Sequence, residues 1–126
     1  MIAYKVVTVT GVPNEFRPWF INGPCFNTTK YTVGQMTHRA PDCGPLMAFP
    51  DYYDALSMYH RMSRNAYDTP TAIVKCDCRL SSDTRLWGPD GVSPVFTCNF
   101  PKAIYCDSIY VMERMPVGAM ESYDNA

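Results

Sequence analysis

With 126 residues the chain has room for one domain and no second core. Its 47% hydrophobic and 13% aromatic content is enough to fill that core, which excludes a wholly disordered chain. Eleven basic against twelve acidic residues leave a formal net charge of −1 without clustered Lys and Arg, so a phosphate-tracking nucleic-acid surface is not expected.

No apolar run approaches the roughly 20 residues needed to span a bilayer, and the first eleven residues lack the pattern of an export signal. The expectation is therefore a cytoplasmic protein with no membrane partner. Six cysteines, at 25, 43, 76, 78, 98 and 106, would suggest disulfides in a secreted domain. In a reducing cytosol they are expected as reduced, mostly buried thiols.

In chain order, residues 2–10 are rich in β-branched side chains and end at Gly11, which predicts a first strand. Tyr4, Val6 and Thr8 share one face of it, and Ala3, Lys5, Val7 and Val9 the other. Both faces are largely apolar, as in a central strand. Residues 15–26 mix aromatics with Pro18, Gly23 and Pro24, so any strand there is short. Residues 30–33 form a better strand closed by Gly34, and His38, Arg39, Pro41, Asp42, Cys43 and Gly44 then crowd into a loop.

Residues 46–49 read as a short buried strand leading into the one convincing helix. Pro50 and Asp51 suit a helix start, because proline is tolerated in the first turn and an acid complements the dipole. Tyr52, Ala55, Leu56, Tyr59 and Met62 recur at helical spacing and predict the face that docks on the sheet. Tyr53, Ser57, His60 and Arg64 form a second stripe beside it, expected to be at least partly exposed.

Residues 71–80 alternate, with Val74, Cys76, Cys78 and Leu80 facing one way and Ile73, Lys75, Asp77 and Arg79 the other. Residues 81–94 read as a long loop with Trp87 near its tip, and 95–98 and 104–112 as closing strands. Residues 1–115 thus form a single α+β domain: a mostly antiparallel sheet or incomplete barrel of about six strands, with one helix packed across it. From 116 to 126 the sequence loses periodicity and reads as a mobile tail.

Tyr31, Val33 and Gly34 form a Tyr-x-Val-Gly piece, followed by Cys43 and Gly44 and then by a strand, a helix and two closing strands. This order resembles a loose group of small domains in phage and bacterial proteins, some attached to pentapeptide repeats, with no assigned activity. Pro45 and Leu46 stand where that pattern places an aromatic residue and a histidine, so no histidine-based role is implied. The resemblance implies a phage or prophage origin and an accessory role exercised by binding in the host cell cytoplasm.

Among chemical readings, Cys76, Cys78, Cys98 and Cys106 offer four thiols for zinc, but two cysteines two apart on a strand pack side by side rather than converging from a turn. Cys43 is the candidate nucleophile, with His38, Arg39 and Asp42 beside it in sequence. An enzyme similar to ADP-ribosyltransferases would use Tyr4, Tyr31 and Tyr53 to line a nicotinamide pocket and Glu113 as its acid. That alternative lacks the expected Arg or His in the first strand. The reading that asks least is non-catalytic binding, without a cofactor or metal, of a host protein or a small ligand. Its candidate residues are Tyr53, Ser57, His60 and Arg64 on the helix, His38 and Arg39 before it, and Arg85 and Trp87 in the long loop, types that recur at interface hot spots. A structural homodimer is the further alternative.

Overall fold

The computed structural model describes residues 1–18, 29–40, 44–65, 70–83 and 102–117. They form strands β1 (Ile2–Val9), β2 (Glu15–Arg17), β3 (Tyr31–Thr32), β4 (Met36–His38) and β5 (Leu46–Ala48), then helix α1 (Tyr52–Asn65), then β6 (Thr71–Leu80) and β7 (Ile104–Arg114). Every pairing is antiparallel, in the order β3-β2-β1-β6-β7-β4, with β5 also on β7.

The sheet curls nearly shut. β5 pairs with β7 on one side and, at its end, Phe49 exchanges backbone hydrogen bonds of 2.7 and 2.8 Å with Tyr4 of β1. The two strands flanking β6 are thus joined again through β5 at one end and through β2, β3 and β4 at the other. Among the described residues the fold is α+β, a nearly closed antiparallel barrel with one helix packed against its outside.

Two turns set this closure. In the β1–β2 turn the Glu15 N–H donates to the Val12 carbonyl at 3.3 Å, with Pro13 and then Asn14 (φ 62°) at the centre, which is the type II pattern. Between β3 and β4 the Gln35 N–H donates to the Thr32 carbonyl at 3.0 Å, and Gly34 takes the positive φ of 84°. The Gly34 N–H donates in turn to the Val111 carbonyl at 2.8 Å, so this turn is pinned to β7. The glycine of the Tyr-x-Val-Gly piece therefore stands where a positive φ favours glycine.

The alternation in β1 divides the core. Ala3 and Val7 point into the barrel with Phe16, Tyr31, Val74 and Ile109, while Val6 and Ile73 point out and are covered by Ala55, Leu56 and Met58 of α1. Met58 belongs to the docking face together with Tyr52, Ala55, Leu56 and Tyr59; the side chain of Met62, also expected there, lies outside the described residues. Val117, within the stretch read as a tail, is buried in the same outer cluster.

The structure differs from the sequence expectation at two further places. Residues 36–38 are a strand where the loop was expected to begin at His38; three residues are too few for alternation to show. Leu80 was expected to face inward with Cys78, but it is 57% exposed at the end of β6, beside a register shift that leaves Asp107 of β7 unpaired. The strand expected at 95–98 lies outside the described residues. No helix among the described residues is long and apolar enough to cross a membrane.

Candidate functional site

The Asp51 carboxylate accepts a hydrogen bond from the Tyr53 N–H at 2.8 Å and caps α1, so the helix begins where the Pro-Asp pair predicted. With about 100° between successive residues, the buried residues place Ser57 opposite the docking face. Tyr53 and Arg61 lie about 40° to either side of Ser57, and Asp54 and His60 about 60°. Tyr53 is 68% exposed. Its ring meets Tyr52 edge-on at 5.6 Å, and Tyr52 meets Tyr4 edge-on at 5.4 Å, forming an aromatic chain from sheet to solvent. His60 is half-buried and lies edge-on to Tyr59 at 5.5 Å. Tyr53, Ser57 and His60 therefore form the expected stripe. The side chain of Arg64 lies outside the described residues, as do Arg85, Trp87 and Cys43.

His38 and Arg39 do not join that stripe. The helix rests on β1 and β6, whereas His38 ends β4, paired with Ser108 of β7. Arg39 bridges Asp83 and Asp107, each at 3.6 Å, and its N–H donates to the Asp107 carbonyl at 2.8 Å. Its guanidinium ties the end of β4 to β7 and to the segment after β6, a fold role that its loop context did not reveal.

The helix sits over the Val6–Ile73 pair, while four residues along, about 13 Å away, outward residues of the sheet are exposed. There the register aligns Ile2, Asp77, Tyr110 and Met36 in one row across β1, β6, β7 and β4. Met112 stands two residues from Tyr110, unpaired at the register shift between Lys75 and Cys76. Ile2, Tyr110, Met36 and Met112 are all exposed large hydrophobics, and Lys75, Asp77 and Arg79 run alongside them on β6. His38, two residues beyond Met36 and exposed, borders this patch. Sequence reasoning missed the row because it exists only once strand order and register are known.

The barrel interior holds a second feature that the sequence reading did not single out. Lys5 is 7% exposed, its Nζ donates to the Met47 carbonyl at 2.6 Å, and it stands 5.2 Å from the centre of the Tyr31 ring. Cys76, Cys78 and Cys106 are buried free thiols in the same interior. Burial lowers the Lys5 pKa and raises that of Tyr31. The hydrogen bond with Cys106 pulls the Cys78 pKa down, but the one with Cys76 and burial outweigh it and push Cys78 up to about 12. Cys106 is raised too, first by its hydrogen bond with Cys78 and then by burial. Cys78 and Cys106 therefore stay protonated and unreactive at neutral pH. No group of three or more His, Cys, Asp or Glu among the described residues is arranged to hold a metal ion. The available signal was the alternation, which put Lys5 on the same face as Ala3, Val7 and Val9.

The tyrosines of the nicotinamide-pocket alternative lie apart. Tyr31 is inside the barrel, Tyr4 is outside beneath Tyr52, and Tyr53 faces away from the sheet. Glu113 is exposed on β7 opposite Lys75. A depression of about 220 Å³ lies between the β1–β2 turn and Arg114, and none of the expected site residues lines it. No family model, no curated protein and no solved structure matches the chain.

Proposed function

We propose that this is a non-catalytic binding protein that docks a protein partner on this exposed part of its sheet. The observation that supports the reading is the row Ile2, Asp77, Tyr110 and Met36 with Met112 beside it, exposed and backed by a rigid barrel. Tyr and Met are enriched at interface cores, and exposed apolar residues with charged residues among and beside them have the anatomy of a docking site. An exposed sheet face suits a macromolecule better than a small ligand, which needs a concave site. Binding thus moves from the expected helix stripe to the sheet, with only His38 of the expected residues at its border.

In this reading the protein works in the cytoplasm, a phage-infected host's if the resemblance of its Tyr31–Gly34 piece carries over. Its buried free thiols are in keeping with a reducing compartment. The test is affinity capture from cells producing the protein, comparing wild type with Tyr110→Lys and Met36→Lys and with Val12→Lys as the control on the β1–β2 turn. A partner lost with the two sheet variants and kept by Val12→Lys supports the reading. A partner retained by both sheet variants overturns it.

A further inference from the structure

The outward face of α1 has a pattern that the sheet surface does not explain. Asp54 and Arg61, seven residues apart, lie on one side of Ser57, and Tyr53 and His60, also seven apart, lie on the other. Seven residues bring a helix back to within about 20° of its starting direction, so each pair runs along one edge of the face. We infer that this face is self-complementary and that a second copy of the chain occupies it, the two helices packing antiparallel about a two-fold axis beside Ser57.

The geometry follows from the symmetry. A two-fold axis perpendicular to both helices keeps each edge on its own side and reverses its direction along the helix. Asp54 of one copy then meets Arg61 of the other, and Tyr53 meets His60. Each contact occurs twice, as an isologous interface requires. Opposite charges meet along one edge and rings along the other, while the small Ser57 at the centre lets the backbones approach closely. A parallel two-fold would instead exchange the edges, setting Asp54 against Tyr53 and Arg61 against His60, and would bring no opposite charges together. Tyr53, Ser57 and Arg61 are exposed and Asp54 and His60 half-buried. One helix pair buries less than the roughly 1,000 Å² of a stable interface, so the dimer is weak and depends on concentration. The exposed sheet row is separate from it and remains free for the partner proposed above.

Sedimentation equilibrium over a concentration series tests this. Wild type is expected to self-associate. Arg61→Asp, which sets Asp against Asp54, and Asp54→Arg, which sets Arg against Arg61, are each expected to weaken association at least about tenfold. The double variant Asp54→Arg/Arg61→Asp is expected to restore it. Circular dichroism confirms that each variant is folded, and Asp54→Asn replaces Asp54→Arg if the added charge at the helix start prevents folding. A wild type that stays monomeric, single variants that associate as wild type does, or a double variant that fails to recover would each overturn the inference.

Discussion

Lys5→Met is the sharpest probe of the barrel interior. The substitution keeps an unbranched side chain of similar length and removes the ammonium. Lost with it are a charge-assisted hydrogen bond of about 1.5–3 kcal/mol and a desolvated cation–π contact of about 2 kcal/mol. Against this stands the burial of the charge, which costs several kcal/mol even after relaxation. The terms nearly cancel, and Lys5→Met is expected to match or exceed wild-type stability. Lys5→Ala also empties the volume of the stem and is expected to lose about 2–4 kcal/mol by analogy with other large-to-small core changes. Urea unfolding at neutral pH measures both.

The pH dependence gives the same experiment a second arm. Burial holds Lys5 below its ordinary 10.5. Between its folded pKa and that value the unfolded chain binds more protons, so this group makes stability rise with pH. Cys78 and Cys106 are raised above their ordinary 9.0. Above that value the folded chain keeps protons that the unfolded chain releases, so they make stability fall with pH. Lys5→Met removes the opposing rise, and its stability is expected to fall more steeply from pH ~9 to ~10.5, by up to about 1.4 kcal/mol per pH unit. If Lys5→Met is destabilised as much as Lys5→Ala, or its alkaline slope equals that of wild type, the interior depends on the ammonium contact rather than on packing and this reasoning is refuted.

Gly34→Ala meets no atom within 4 Å at the new Cβ, so its cost comes from the φ of 84° alone; a loss of about 1–2 kcal/mol is expected in thermal unfolding, with Gly34→Asn closer to wild type. Asp51→Ala removes the cap on Tyr53 and is expected to cost about 1 kcal/mol, with amide exchange accelerated first at the start of α1. Cys76, Cys78 and Cys106 are buried in the native barrel, so alkylation of these three, read site by site by mass spectrometry, is expected to proceed no faster than unfolding.

The parts of this fold legible in the sequence are those with a strong period. The ten-residue alternation of β6, the apolar first strand and the capped amphipathic helix needed no partner to be recognised, and the thiols at 76 and 78 fell inside as their parity required. Parity did not foretell Leu80, the last residue of β6, which is 57% exposed although it pairs with the buried Cys106. The short β4 has no period to read. The exposed row from Ile2 to Met36 joins four strands distant in sequence, so its residues look like ordinary strand positions until the register is known. Lys5 was visible as a charge in an apolar row, but only the enclosed barrel shows that its amine has no water to reach for and takes the Met47 carbonyl instead.

The most direct measurement of the central claim is site-specific photo-crosslinking in cells producing the protein, with a photoreactive residue at position 112 on the exposed sheet face and at position 12 on the β1–β2 turn. The account predicts one dominant partner-sized adduct at position 112 that is absent at position 12. Equal labelling at the two positions, or no adduct at position 112, would contradict it.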